Sequence, residues 1–141
     1  MGTMDLVPRL RVAVLRLSRQ LRHQAEGDVT PSTLSALSTI ERLGPLTLGE
    51  LAAEENVQPP TMTRIVSRLE ELGFVTREVD AADRRVARVT ASAEGKEYAA
   101  RARDRYNTYL AARVKGLSAS DRKALAAALP VLERLTEDQD R

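Results

Sequence analysis

Residues 47–74 read TLGELAAEENVQPPTMTRIVSRLEELGF, and this stretch decides the predicted fold. It opens with Thr47 and Glu50, which have the spacing of a capping box: a hydroxyl at the cap and a carboxylate three residues later. The pattern predicts a short helix over 48–55. A second predicted helix, 59–72, begins with two prolines, and proline is favoured in the first turn of a helix. Two such helices joined by a tight turn indicate a helix-turn-helix.

The second of these helices is amphipathic and is followed by a predicted hairpin. Gly73 stands where a glycine commonly ends a helix. Two β-prone runs, 74–79 and 86–90, come next and flank a charged tip, which is typical of a β-hairpin. A helix-turn-helix followed by a hairpin is a winged helix-turn-helix. The residues of the second helix that we expect to face the core are Met62, Ile65, Leu69 and Leu72.

Four further helices are predicted on either side of this lobe, so the fold class is mainly α. Their predicted bounds are 4–25, Thr30 to Gly44-Pro45, 93–115, and from the Ser118 cap onward. Pro130 lies inside the last helix and should kink or divide it. The helix that begins after Thr30 carries an apolar stripe with a spacing of three, formed by Leu34, Leu37, Ile40 and Leu43.

The composition excludes several classes of protein. The 141 residues include no cysteine and one histidine, His23, so disulfides and ordinary zinc sites are excluded. The sequence contains no nucleophile elbow, no phosphate-binding glycine loop and no zinc-protease motif. We therefore expect no enzyme, catalytic residue, metal or cofactor. No apolar run approaches the roughly 20 residues of a membrane span and no signal-peptide pattern is visible, so we expect a cytoplasmic protein.

The polar side of the 59–72 helix predicts DNA contacts. Hydroxyls and arginines near the start of a helix suit phosphates and guanine edges in the major groove. The net charge is only +2, so affinity must come from the placement of these side chains. An ordinary solvated helix face is the alternative interpretation. The candidate DNA-binding residues on this helix are Pro60, Thr61, Thr63, Arg64, Ser67 and Arg68.

The tip of the predicted hairpin carries a second candidate DNA contact, formed by Asp83, Arg84 and Arg85. An arginine on a narrow loop can enter the minor groove, and Asp83 could hold its guanidinium in a fixed pose. Either arginine could be the one that enters; the other should pair with Asp83 or with a phosphate. A charged turn with no role in binding is the alternative.

Together these segments resemble the MarR family of bacterial winged-helix transcription regulators. The resemblance is carried by LGELA at 48–52, TMTRIVSRLEELGFV at 61–75, DRR at 83–85 and VTASAEG at 89–95. Two departures are Ala81, where the family often has proline, and residues 89–91, where an apolar residue followed by Leu-Thr is commoner. The resemblance implies a homodimer, joined through its first, fifth and sixth helices, that binds double-stranded DNA and most often acts as a repressor. A near-palindromic operator with half-sites about 10 bp apart is expected for such a dimer.

Apolar stripes on the terminal helices favour the same dimer independently. They offer more apolar surface than one small DNA-binding lobe needs, so we expect a second copy to bury them. Residues 1–28 and 93–141 then form the dimerisation helices, and 30–91 form the DNA-binding lobe. Folding of the terminal helices back onto their own lobe is the alternative. The stripe residues are Leu6, Leu10, Val14, Leu17 and Leu21, with Leu125, Leu129, Leu132 and Leu135.

The resemblance further implies a small aromatic or anionic effector, bound between the dimerisation helices and the DNA-binding lobe. The candidate pocket residues are His23, Tyr106 and Tyr109; ordinary packing of the two tyrosines and an ordinary surface position for His23 are the alternatives. A different class of function also stays open: a winged-helix module for protein contacts without specific DNA binding. DNA binding that is indifferent to Arg64, Arg68, Arg84 and Arg85 would favour that module.

Overall fold

The structure, a computed structural model, describes residues 1–24 and 29–137. Its elements are α1 (Thr3–Arg22), α2 (Pro31–Leu43), β1 (Leu46–Thr47), α3 (Leu48–Glu55), α4 (Pro59–Glu71), β2 (Val75–Val79), β3 (Ala87–Ala91), α5 (Ala93–Lys115) and α6 (Ala119–Arg134). The predicted fold class, mainly α with a winged helix-turn-helix, is confirmed. The predicted end of the first helix at Ala25 lies outside the described residues. Within the described ranges, no helix is long and apolar enough to cross a membrane.

The chain divides into two compact units. The first, Met1–Tyr106, contains α1 to α4, the sheet and the beginning of α5, and the second, Asn107–Arg141, contains the rest of α5 and α6. The core of the first unit lies between α2, α3, α4 and the sheet. The largest fully buried side chains there are Leu37, Ile40, Leu51, Met62, Val66, Leu69 and Val89.

Hydroxyl side chains cap the first turn of four helices, which begin where the sequence predicts them to begin. Each hydroxyl accepts a backbone N–H that has no partner inside the helix, which stabilises the first turn. The caps are Thr30 to the N–H of Thr33 (3.2 Å), Thr47 to Glu50 (3.1 Å), Ser92 to Gly95 (3.0 Å) and Ser118 to Asp121 (3.0 Å). The bounds of α3 and α5 are the predicted ones.

The three strands form one antiparallel sheet in the order β1-β3-β2. The β2–β3 hairpin was predicted, whereas β1, which pairs Leu46 with Val89, was not. Gly44 ends α2 as predicted but has extended backbone angles (φ −67°, ψ 159°) rather than the left-handed ones of a C′ glycine. A side chain there would overlap the Ile40 carbonyl oxygen. Glycine is required at this position because the chain turns tightly toward β1.

Two further predictions concern Gly73, at the end of α4, and Pro130, inside α6. Gly73 has a positive φ of 77°, so the predicted left-handed glycine after α4 is confirmed. Pro130 lies inside α6 without dividing it, since the helix continues to Arg134. A proline near the end of a helix breaks a single backbone hydrogen bond, and the remaining turns hold.

Candidate DNA-binding surface

The turn between α3 and α4 depends on a left-handed residue. Asn56 has φ 52° and ψ 48°, a conformation that asparagine tolerates better than most residues. The Val57 N–H then donates to the Ala52 carbonyl at 3.0 Å, which closes the end of α3 and directs the chain into α4. The geometry is that of a helix-turn-helix, with α4 as its second helix.

The outer face of α4, defined as the six predicted contact residues, lies away from the core. The side chains that hold α4 in place are buried, and the residue predicted at the end of its apolar side, Leu72, is partly buried. Thr61 is partly exposed and the other five members of the outer face are exposed. The buried side chains are Met62, Ile65, Val66 and Leu69.

The polar groups of this outer face are not equally available to a partner. The Thr63 hydroxyl donates to the Pro59 carbonyl at 3.0 Å, so its oxygen is left to accept. The Arg68 guanidinium lies 3.5 Å from the Glu71 carboxylate. In the described ranges, Arg64 has neither a hydrogen bond nor an ion pair from its side chain. Arg64 therefore keeps all its donors for an external acceptor.

Asp80 organises the wing tip, which we define as residues 80–85. One of its carboxylate oxygens accepts the backbone N–H groups of Ala82 (2.7 Å) and Asp83 (3.1 Å), and the other accepts Arg88 at 2.7 Å. These hydrogen bonds, with that of Arg88 first, hold the pKa of Asp80 below its ordinary value. This role was not predicted from the sequence, although an aspartate at the start of a turn is a recognised turn signal.

Asp83 holds one of the two wing-tip arginines. Its two carboxylate oxygens accept the Arg85 guanidinium at 3.0 and 3.1 Å, and one also accepts the Arg85 backbone N–H at 3.1 Å. The Arg85 hydrogen bond lowers the pKa of Asp83. The Arg85 side chain is nevertheless 90% exposed. In the described part of the chain, Arg84 makes no side-chain hydrogen bond or ion pair.

The hairpin is tied to α4 and to the start of α5. Arg77 of β2 donates to Glu70 of α4 at 2.7 Å. The Ser92 hydroxyl donates to the Gly73 carbonyl at 2.6 Å. A side chain at Gly95 would overlap the backbone carbonyl oxygen of Phe74, so α5 can approach the hairpin this closely only with glycine there. These three contacts were not predicted from the sequence.

The three candidate effector residues are in different surroundings. His23 follows α1 and is exposed. Tyr106 is partly buried against a small cluster that includes Leu34 and Ala102, and burial raises its pKa. Tyr109 lies in the second unit, with the Arg113 guanidinium 5.2 Å from the centre of its ring. Within residues 1–24 and 29–137, no group of acidic and histidine side chains could hold a metal ion.

The turn, the exposed side of α4 and the arginine-bearing wing define a winged-helix protein of the DNA-binding class. The MarR family model matches residues 29–87. An HTH-type transcriptional regulator of Mycobacterium tuberculosis is 39% identical over 130 residues, which cover 92% of this chain and 91% of the relative. The chain therefore belongs to the MarR family of transcriptional regulators. The relatives that it matches over most of its length are named as HTH-type transcriptional regulators.

Solved structures agree with this assignment. The crystal structure of a putative transcriptional regulator from Pseudomonas aeruginosa has a TM-score of 0.83 and 34% identity, over 99% of this chain and 100% of that one. FabT of Streptococcus pneumoniae, solved in complex with DNA, has a TM-score of 0.74, with 94% of this chain and 96% of FabT covered. At 15% identity, the second likeness shows the shared fold.

Proposed function

We propose that the protein is a homodimeric repressor that binds a near-palindromic operator. In each half-site, α4 enters the major groove and the wing tip enters the adjacent minor groove. The observation that carries this proposal is the Asp83–Arg85 pair, because it fixes a guanidinium at the end of a hairpin while leaving it 90% exposed. An arginine held in advance loses less conformational entropy on binding than a free one.

In the major groove, Arg64 reads a guanine edge. Arginine donates to guanine O6 and N7 together, and Arg64 has no competing partner in the described residues. Arg68 is shared with Glu71 and contacts a phosphate. The other four members of the outer face, Pro60, Thr61, Thr63 and Ser67, pack against the DNA backbone or accept from base donors.

In the minor groove, Arg85 is the arginine that enters and Arg84 pairs with a phosphate. The carboxylate of Asp83 occupies one edge of the Arg85 guanidinium, and the remaining N–H groups are free to meet the groove. The narrow minor groove of A·T-rich DNA concentrates negative potential, which attracts such a cation.

Two copies of the chain present these elements to one operator. Residues 1–28 and 93–141 are the proposed dimerisation helices, and 30–91 the DNA-binding lobe. Most members of the two predicted apolar stripes stay exposed in the single chain, among them Leu6, Leu17, Leu129 and Leu135. Apolar surface of this extent is characteristic of an interface. A two-fold axis would set the two α4 helices about one DNA turn, roughly 34 Å, apart.

A small aromatic or anionic effector that releases DNA completes the proposal, with His23, Tyr106 and Tyr109 as its candidate contacts. Burial raises the pKa of Tyr106, and its protonated hydroxyl can donate a hydrogen bond to an anion. Benzoate added to the operator complex should lower the operator affinity, and Tyr106→Phe should weaken that effect. An unchanged affinity in saturating benzoate would oppose an aromatic anion as the effector.

The test of the DNA-binding proposal begins with the operator. Binding-site selection from random duplexes, together with the DNA upstream of the protein's own gene, would supply a candidate. Fluorescence anisotropy would then compare this duplex with a scrambled one, using the natural protein and the Arg84→Ala/Arg85→Ala variant. We expect tight, palindrome-dependent binding that the variant loses. Equal and weak binding to both duplexes by both proteins would favour the winged-helix protein-interaction module instead.

A further inference from the structure

A cavity of about 280 Å³ lies in the first unit, at the junction of α2, α3 and α4. Pro31 and Ser35 line it from α2, and Glu55 lines it from the last position of α3. Much of the remaining wall is apolar and comes from Val57, Met62 and Ile65. Glu55 is the one ionisable residue of the lining, so it sets the charge of the cavity.

The Glu55 carboxylate is held in place by two hydroxyl groups of α2. Ser35 donates to one oxygen at 2.8 Å and Thr39 donates to the other. Each oxygen keeps a lone pair that can accept a further donor. Glu55 is the last residue of α3, so the partial negative charge of the last helix carbonyls adds to the negative charge of its carboxylate.

Glu55 differs from the other partly buried carboxylates of the described residues. Glu41, Glu70, Asp80 and Asp83 each have an arginine nitrogen within 3.0 Å. Glu55 has no arginine, lysine or histidine within ion-pairing distance among those residues. Among the described residues, Glu55 is thus the partly buried carboxylate that has no basic partner, and it also lines a cavity.

We propose that this cavity binds a small organic monocation, namely a protonated amine with a compact apolar body. Its ammonium group donates to the free lone pairs of Glu55, and its apolar body contacts Val57, Met62 and Ile65. The size is sufficient, because an apolar cavity of about 150 Å³ already holds benzene. The site lies within the DNA-binding lobe and shares no residue with the proposed effector contacts.

The charge of the ligand favours a protonated amine over an anion or a neutral molecule at this site. A bound ligand removes water from Glu55, and a carboxylate that loses water without gaining a cation is strongly destabilised. An anion would be repelled by the carboxylate, and a neutral molecule would leave its charge uncompensated. A protonated amine supplies both the missing charge and the missing donors.

The test uses benzylamine, which is protonated at neutral pH, and benzyl alcohol, its neutral counterpart. Amide chemical shifts of the natural protein are followed by NMR as each compound is added. We expect saturable shifts at Val57, Met62 and Ile65 with benzylamine and a dissociation constant of about 1 mM, the range for a ligand of this size. Benzyl alcohol should bind at least about 10-fold more weakly, because it lacks the charge-assisted hydrogen bond.

Two matched variants assign the effect to Glu55. Glu55→Gln should weaken benzylamine binding by about 10-fold or more. Glu54→Gln makes the same change one residue earlier, at an exposed side chain outside the cavity lining, and should leave binding unchanged. If Glu55→Gln unfolds, the comparison of amine with alcohol on the natural protein decides the question.

Two results would overturn the proposal. Equal affinity for benzylamine and benzyl alcohol would show that charge is not recognised. No saturable shift at the cavity residues of the natural protein would show that the carboxylate only ties α3 to α2. Both measurements use the protein without DNA, so they test the amine site independently of the proposed operator binding.

Discussion

At the wing tip, backbone geometry determines which of two neighbouring arginines is held by Asp83. The carboxylate accepts the Arg85 backbone N–H two residues ahead, as aspartates in tight turns commonly do. That contact brings the Arg85 side chain back over the same carboxylate. Arg84 lies between these two residues in the chain, and in the described residues its backbone N–H makes no such hydrogen bond to the Asp83 carboxylate. The sequence alone left the two arginines equivalent because both are close enough to Asp83 along the chain.

The two wing-tip arginines should respond differently to removal. Arg85→Ala should lower operator affinity by about 10- to 100-fold per half-site, the usual cost of losing a groove contact. Arg84→Ala should cost less and should act equally on specific and scrambled duplexes, since a phosphate contact carries no sequence information. Anisotropy titrations with both duplexes measure this. The reverse order of effects would assign the minor-groove role to Arg84.

At the scale of secondary structure, the start of α5 is held to the wing by a glycine. Gly95→Ala would force a methyl group into the Phe74 carbonyl, and we expect a loss of about 1–3 kcal/mol in unfolding free energy. Gly49→Ala is the matched control, because nothing lies within 4 Å of the added carbon in α3. It should raise stability by about 0.5–1 kcal/mol. Urea unfolding measures the unfolding free energy of both variants. Changes of the same sign for Gly95→Ala and Gly49→Ala would contradict the close approach of α5 to Phe74.

An ion pair between α2 and α5 should make stability depend on pH. Arg103 donates to Glu41 at 2.6 Å, and this hydrogen bond lowers the pKa of Glu41 from 4.5. The stabilisation is therefore fully present above the unfolded pKa and is lost as pH falls through the lower folded value. Because the Arg103 side chain is 49% exposed, we expect the effect to be no more than about 1 kcal/mol.

Glu41→Gln tests this pH dependence. The variant should be less stable at neutral pH and should lose less stability than the natural protein between neutral and acidic pH. Thermal unfolding across that range measures both differences. Glu97→Gln is the control, since Glu97 pairs with Arg101 inside the same helix. Parallel stability curves for Glu41→Gln and the natural protein would contradict the assignment.

The helices of the lobe could be predicted where their signals are local. Hydroxyl caps and Gly73 act within a few residues, so they place the ends of α3 and α4 to within one residue. Leu43 shows the limit of a stripe with a spacing of three. Each step of three residues falls short of a full turn, so by the fourth member the stripe has drifted off the core, and Leu43 is 42% exposed.

The parts that sequence did not predict depend on contacts between distant residues. β1 has only two residues, and it forms because Leu46 and Thr47 pair with β3, some 40 residues later in the chain. No local sequence pattern predicts such a strand. The same holds for the Glu70–Arg77 tie and for the Asp80–Arg88 pair. For the candidate DNA-binding surface, the residue types and the exposed helix face could be predicted from the sequence. The sequence did not predict that Arg68 pairs with Glu71 while Arg64 has no partner in the described residues.

At the scale of the whole molecule, the proposed dimer depends on the exposed terminal stripes. Leu17→Asp and Leu129→Asp each place a charge on a stripe residue that is 49% exposed in the single chain. Each should weaken dimerisation by at least about 30-fold, the effect of losing one interface hot spot, and should reduce operator binding with it. Sedimentation velocity at several concentrations measures the change.

Leu43→Asp is the control for the dimer prediction. Leu43 is similarly exposed, at 42%, but belongs to α2 and to neither terminal stripe. Its variant should sediment like the natural protein. If all three variants dimerised equally well, the terminal helices would not form the interface.

The pairing of the arginines on α4 and the wing has a thermodynamic consequence for DNA binding. Arg68, Arg77, Arg85 and Arg88 each face a carboxylate, so we expect each of them to displace fewer condensed counterions on binding DNA than an unpaired arginine would. Arg64 and Arg84 remain as the unpaired cations of each half-site in the described residues. For a dimer, the logarithm of the binding constant should then fall against the logarithm of salt concentration with a slope of only about −4. We therefore expect operator binding by this protein to weaken less with rising ionic strength than binding by a regulator whose DNA-contacting arginines are all unpaired.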